Sequence, residues 1–263
     1  MSEIRTLSSD RVGARPHPGG NPAASDGVQS PMHALWVWAH PHASSLNGRL
    51  REVGVSALGA AGWSVDEIDL YREGFNPLLV GRGEADVRRH QNRLREADLL
   101  VVQFPLWWYS VPAILKGWID RVFESGFAFD VPDPETGKPL KYGKGGLVGK
   151  RALTIVTAGD RAATLGPRGI SGDIEDVLWP LLHGTFWYTG MDPLRPHLIT
   201  DTDTIDAQVM ARIEADLSVR LQGVMTEPRI DYRPMAEEHY DHTIRLHDSV
   251  SPGEDGLSAH REG

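Results

Sequence analysis

The stretch Asp98-Leu-Leu-Val-Val-Gln-Phe-Pro-Leu-Trp-Trp-Tyr-Ser-Val-Pro-Ala-Ile-Leu-Lys-Gly-Trp-Ile-Asp-Arg-Val-Phe123 limits what this 263-residue chain can fold into more than any other. Leu99 to Val102 is a near-continuous apolar run, the pattern of a parallel strand buried on both faces. The run breaks at Phe104-Pro105, and three aromatics follow, Trp107, Trp108 and Tyr109. Pro112 suits the first turn of a helix, where its missing N–H would have no intrahelical partner. Leu115, Trp118, Ile119 and Val122 then recur at helical spacing. The segment reads as strand, aromatic loop, helix. Ligands of an open parallel sheet bind beyond the carboxyl ends of its strands, and a row of indoles there suits a flat, conjugated ligand. The competing reading packs these aromatics into the core, although large aromatics beside prolines are rarely buried completely.

The flanking sequence repeats the unit. Strands are expected over 33–39, 63–70 and 151–157, and an edge strand over 195–200. Helices are expected from Leu46 to about Ala61, with Leu50, Val53 and Ala57 inward, and over 173–188 with a kink at Pro180. A last helix is marked by Ile205, Val209, Ile213 and Leu217. The helix over 84–96 is so heavily charged that it reads as a solvated face. Every strand-to-strand connection is long enough for a crossover, so the fold class is α/β, with helices on both faces of a doubly wound parallel sheet. The five-stranded form has order 2-1-3-4-5 and a switch point between strands 1 and 3. That places a site at three loops, 40–47, 105–111 and 157–172.

Residues 1–31 are rich in Gly, Pro, Ser and Ala and read as a disordered tail, 32–225 as the domain, and 226–263 as a polar C-terminal arm or tail. Residues 124–150 lack periodicity, and stretches of that length are usually functional or disordered. A net charge of −9 argues against nucleic acid as a partner. The chain has no cysteine, which removes disulfides, thiol nucleophiles and cysteine metal clusters and suits a cytoplasmic protein. No apolar h-region follows Met1-Ser-Glu-Ile-Arg5 and no run of eighteen apolar residues exists, so neither a signal peptide nor a membrane span is expected.

In the first loop, Ser44, Ser45 and Asn47 stand beside the free N–H groups of a helix start, the makings of a phosphate site. Ser and Asn are also ordinary helix caps, and the position at the switch point favours phosphate. His40-x-His42 lacks a third ligand, so no metal is expected. Gly143-Lys-Gly-Gly-Leu-Val-Gly-Lys150 is not a P-loop: Lys144 stands where a glycine belongs, Arg151 replaces the Ser or Thr, and the segment precedes its strand. Ser171 lacks the nucleophile-elbow pattern. Thr157-Ala-Gly-Asp160 supplies small residues that let backbone N–H groups approach a ligand.

Gln103 to Phe123 closely resembles the flavodoxin-like NAD(P)H:quinone oxidoreductases, the DT-diaphorase family. Asp69-Leu-Tyr, Phe75-Asn-Pro, Gly169-Ile-x-Gly-Asp173 and Leu178-Trp-Pro180 fit the same family, over about residues 33–221. The resemblance implies a flavin, FAD or alternatively FMN, with NAD(P)H as electron donor and a quinone or similar acceptor. His40, Ser44, Leu46 and Asn47 match the family's phosphate loop, and Pro105, Leu106, Trp107, Trp108 and Tyr109 its isoalloxazine loop. Trp108 and Tyr109 would also line the pocket for nicotinamide and quinone. Thr157, Ala158 and Gly159 match the loop along the flavin's pyrimidine edge, where backbone donors would stabilise charge on the reduced ring. The family works as a homodimer with its pocket at the subunit interface, and Phe127 and Phe129 match the residues that line it. Two departures stand out. Ser171 occupies the position of a relay histidine and the relay tyrosine has no counterpart near Thr164, while the insertion after strand 2 that helps hold adenine is mostly missing. The rival functions are a flavodoxin-type electron carrier and a regulatory flavoprotein subunit of a potassium–proton antiporter.

Overall fold

The computed structural model describes residues 31–262, so the tail expected over 1–31 lies, except for Pro31, outside the described residues. Strands β1 (His33–Trp38), β2 (Ser64–Asp69), β3 (Leu99–Pro105) and β4 (Arg151–Thr157) run parallel in the order β2-β1-β3-β4. Every residue of β3 is buried, and so are Ala34 to Trp38 in β1 and Ala152 to Thr157 in β4, as unbroken apolar runs require at the centre of a covered sheet. β2 buries only Ile68 and forms one edge.

The fifth position of the order 2-1-3-4-5 is filled, but by two pieces. β5 (Asp192–Pro193) pairs with Arg151 and Ala152, and β6 (His197–Ile199) pairs with Ile155 to Thr157, both on the same flank of β4. β6 falls within the edge strand expected over 195–200, and β5 is an additional piece before it; Pro193 and Pro196 have no N–H to give to a ladder, which separates the two.

Successive residues of β1 face opposite layers. Trp36 and Trp38 pack with α1 (Leu46–Ala60) and α6 (Ala207–Gln222), while Leu35 and Val37 pack with α2 (Ala85–Glu96) and α3 (Ala113–Val122). Helix α1 crosses so close to the sheet that a Cβ on Gly54 would lie 2.1 Å from the Trp36 ring. In α6 the buried positions are Met210, Leu217 and Leu221, while Val209, one of the residues that mark this helix in the sequence, is exposed.

Helix α2 is more firmly anchored than its charge suggested. Val87, His90, Gln91 and Leu94 form a buried face at helical spacing. Two of the four are polar, which hid the stripe from an apolar count, and both are bonded. His90 accepts from Trp118 Nε1 (3.1 Å) and lies 3.0 Å from Glu73 Oε2, and Gln91 donates to the Val122 carbonyl (3.0 Å) and Glu124 (2.9 Å).

The helix expected over 173–188 is broken. A turn α4 (Ile174–Val177) ends at Leu178, α5 (Trp179–Leu181) follows, and Leu182–Trp187 widens into a π-helix closed by Tyr188 N–H to the His183 carbonyl (3.0 Å). Pro180 can neither donate to the carbonyl of Asp176 nor fit against it, so the kink becomes an interruption. The irregular residues 124–150 are ordered by backbone contact: Tyr142, Gly143 and Leu147 donate to Tyr188, Trp187 and Thr189. A Cβ on Gly146 would stand 1.9 Å from the Phe127 carbonyl oxygen, so glycines belong there for packing rather than for phosphate.

Residues 226–262 carry little regular structure, yet they fold onto the body. Ile230 donates to the Pro193 carbonyl (2.8 Å), and Ile230, Tyr232 and Ala259 are buried. Among the described residues no helix is long and apolar enough to cross a membrane.

On β6, burial and then the neighbouring Arg220 hold His197 down at about 4. The unfolded chain takes up this proton near its ordinary 6.5, so between those values the unfolded state binds more protons and stability rises with pH. The urea midpoint should therefore fall as pH is lowered from 6.5 towards 4, and fall less in His197→Asn. An identical pH slope in the two proteins rules out this origin.

Candidate functional site

The first loop leaves β1 at Ala39 and closes on the start of α1. Ser45 caps the helix, its hydroxyl accepting from Gly48 N–H (3.2 Å) and donating to the His42 carbonyl (2.6 Å). His40 Nδ1 accepts from His42 N–H (3.1 Å) and lies 3.0 Å from Ser45 Oγ, while burial holds the ring's pKa below its ordinary value. The Ala43 carbonyl presses on Gly48, where a Cβ would meet its oxygen at 1.8 Å. Ser44 is left exposed at the tip. Among the described residues the N–H groups of Leu46 and Asn47 have no partner, as expected in a first helical turn.

Asn47 points the other way. Its Nδ2 donates to Thr157 Oγ1 (2.8 Å), and its buried Oδ1 has no partner. Its backbone carbonyl accepts from Gln103 Nε2 (2.6 Å), and Gln103 Oε1 accepts from Trp36 Nε1 (2.9 Å). Gln103 is fully buried and was not singled out from sequence. The signal was there: one amide in an otherwise apolar strand.

The second loop is a tight turn. Ser110 N–H donates to the Trp107 carbonyl (3.1 Å), and the two central residues have positive φ, +52° at Trp108 and +57° at Tyr109. This is the type I′ pattern, usually built from Asn and Gly. A side chain in that region costs roughly 1–2 kcal/mol per residue, and such strain gathers at functional sites. The aromatics are not core: Trp108 is 95 % exposed, and Trp107 and Tyr109 are also exposed. Trp107 lies 6.1 Å from the His40 ring, and Leu106 donates to the Thr157 carbonyl (2.8 Å), which ties this loop to the other two.

The third loop follows β4. Ala158 is held by the Ile199 carbonyl (2.8 Å), whereas Gly159 N–H has no partner among the described residues, and none of them lies nearer than 3.8 Å to where its Cβ would be. The loop then folds back, with Ser171 N–H donating to the Thr164 carbonyl (3.0 Å), and it presents Ser171 Oγ 3.1 Å from Tyr109 Oη. Arg161 and Arg168 are exposed.

Thus Pro105 to Tyr109, Thr157 to Gly159, Ser171 and the loop with His40, Ser44, Leu46 and Asn47 converge at one edge of the sheet. Phe127 and Phe129 do not join them. Phe127 lies under the Arg95 guanidinium (5.0 Å) at the end of α2, beside the opposite edge, and Phe129 faces Tyr188 (6.5 Å). Beyond the start of α1 the surface dips into a cavity of about 410 Å³ between Leu46, Arg49, Thr202, Ile205, Asp206 and Met210. Free amides beside a helix start suit an anion, and exposed flat rings beside unpaired backbone donors suit a conjugated heterocycle.

A family model described as a flavodoxin-like fold matches residues 32–221. Ribosyldihydronicotinamide dehydrogenase (quinone) of Mus musculus is 35% identical over 226 residues, covering 76% of this chain and 95% of that one. NAD(P)H dehydrogenase (quinone) 1 of Rattus norvegicus is 31% identical, covering 76% of this chain and 80% of its own. A Klebsiella pneumoniae protein described as a candidate quinone reductase superposes with a TM-score of 0.81 at 36% identity, over 88% of this chain and all of that one. The chain belongs to the flavodoxin-like family of NAD(P)H:quinone oxidoreductases.

Proposed function

We propose that this chain is a flavin-dependent NAD(P)H dehydrogenase that passes two electrons to a quinone or similar acceptor in a ping-pong cycle, donor and acceptor using the same place in turn. The observation that carries the reading is the strained aromatic turn at Trp108 and Tyr109, held open to solvent at the switch point of a flavodoxin-like sheet. The residues fit a flavin. Leu46 and Asn47 offer unpaired N–H groups to a phosphate, the buried Asn47 Oδ1 is an acceptor without a donor, and Gly159 leaves its N–H free along the third loop. When bound, the flavin supplies the hydride-accepting and hydride-donating chemistry. The chain's part is to bind and orient: His40 and Trp107 brace the two loops, and Trp108 and Tyr109 form a wall on which nicotinamide or quinone stacks. The Gly159 N–H is placed to stabilise negative charge on the reduced ring. Ser171 steadies Tyr109 in place of a titrating relay.

FAD is the preferred cofactor, because the cavity beyond the start of α1 offers room past the phosphate position between Arg49 and Met210. The purified protein should be yellow, with about one flavin per chain, and the flavin released on heating should have the mass of FAD. A protein that is colourless and takes up neither FAD nor FMN sinks the reading, while FMN in the released fraction removes only the adenine part of it.

Trp108→Ala should fold normally, since the side chain is exposed. It should lose about two- to tenfold in kcat/KM for the acceptor, the equivalent of a stacking contact worth ~0.5–1.5 kcal/mol. Unchanged kinetics would place Trp108 outside the pocket.

The active form is proposed to be a homodimer in which Phe127 and Phe129 complete the partner's cleft, as neither residue reaches the loops of its own chain. Light scattering under assay conditions should give twice the chain mass, and a fully active monomer contradicts the arrangement.

A further inference from the structure

A second cavity, of about 430 Å³, lies between the broken helix and the C-terminal arm. None of its lining residues belongs to the three loops. Its size falls within the range of small-molecule sites, ~300–1,000 Å³. The walls are flat rings. Trp179 stacks on His183 with centroids 4.2 Å apart and 16° between planes, and Tyr142 leans on His183 at 5.1 Å. From the arm, Tyr240 lies parallel to His260 (5.9 Å, 3°), and the Tyr240 hydroxyl is 3.0 Å from His260 Nδ1.

The polar groups are few and partly unused. His183 is held at about 4 by burial, then by the neighbouring His260 and Arg261, so at neutral pH its ring keeps one donor and one acceptor. Neither ring nitrogen of His183 hydrogen-bonds to the described residues. Arg233 spends Nε on the Ala259 carbonyl (3.0 Å) and Nη2 on Ser251 Oγ (2.7 Å), which leaves Nη1 free. No carboxylate lines the cavity, and among the described residues Arg233 is in no ion pair. A guanidinium with an unused N–H at the mouth of a ring-lined space with no counter-charge favours an anion, and the walls favour a planar one.

We infer that this cavity is a binding site for a flat aromatic carboxylate of one or two fused rings, its ring system set among Tyr142, Trp179 and Tyr240 and its carboxylate on Arg233. The inference is independent of the flavin reading, since no step of it uses the three loops. The ring stack continues from Tyr142 to Tyr188 (5.1 Å) and on to Phe129 (6.5 Å), so an occupant would sit two rings from a residue assigned above to the partner's cleft.

The test is calorimetric titration of the full-length protein, as purified, with 2-naphthoate, and in parallel with the neutral 2-naphthamide. One equivalent of 2-naphthoate should bind per chain. Arg233→Gln should weaken the acid at least tenfold and leave the amide within twofold, a split that general unfolding would not produce. Gly184→Leu provides the second arm. A Cβ there meets nothing nearer than 4.0 Å, so the side chain can be added without a clash and occupies part of the cavity. It should abolish binding of both compounds while melting temperature and absorbance spectrum stay as in the parent. No saturable binding of 2-naphthoate, or binding unmoved by either substitution, would falsify the site. Displacement of 2-naphthoate by saturating quinone acceptor, with Arg233→Gln silent, would assign the acid to the acceptor cleft instead.

Discussion

Four residues joined by hydrogen bonds hold the candidate site together: Trp36, Gln103, Asn47, through its carbonyl on one side and its amide on the other, and Thr157. They come from β1, β3, α1 and β4, the elements that carry the three loops. Gln103 sits on the central strand with no access to water, and both ends of its amide are used. A neutral hydrogen bond contributes only ~0.5–1.5 kcal/mol net, but a buried partner left alone costs about 1–3 kcal/mol. An apolar residue at 103 would orphan the Trp36 indole N–H and take away the side-chain bond that reaches the Asn47 carbonyl at the start of α1. The chain of bonds therefore acts less as a source of stability than as a register lock, since each member is satisfied only when the strands and the first turn of α1 keep this arrangement.

That lock is what allows the aromatic turn to be strained. Two consecutive non-glycine residues with positive φ persist only where the surroundings over-determine them. Here Leu106 is tied to the end of β4, the turn is closed by Ser110, and the Tyr109 hydroxyl meets Ser171. Each tie comes from a different loop or strand. The indole of Trp108 gains nothing from the fold in exchange, being almost wholly exposed.

The sequence carried the sheet and its order because those features rest on apolar runs and crossover lengths, both local. Leu99 to Val102 and the run after Arg151 announced central strands, and Pro105 marked the end of the third. What escaped was decided by partners distant in sequence. The buried side of α2 depends on His90 and Gln91 finding Trp118, Val122 and Glu124, which no periodicity of apolar residues can display. The left-handed turn is invisible for a related reason: Trp-Trp-Tyr-Ser contains no glycine or asparagine to advertise it. The short β5 at Asp192–Pro193 was not expected, because it pairs with only Arg151 and Ala152, and the missing N–H groups of Pro193 and Pro196 keep it apart from β6.

The remaining asymmetry concerns the two edges of the sheet. The carboxyl edge is bare: exposed rings, unpaired amides and a cavity at the start of α1. The opposite edge is covered by residues 124–150, whose Gly145 lies against the Thr189 backbone, and by the arm that buries Ile230 and Tyr232. A chain that only needed to shield that edge could do so with a short turn. This one brings Phe129, Tyr142 and Tyr188 into a connected stack reaching the ring-lined cavity of the arm. A bare site on one edge and a ring-bearing surface on the other cannot meet within a single chain, because the sheet stands between them. They can meet between two chains related by a two-fold axis, since an isologous contact lets each copy offer its covered edge to the bare edge of the other and satisfies both at once.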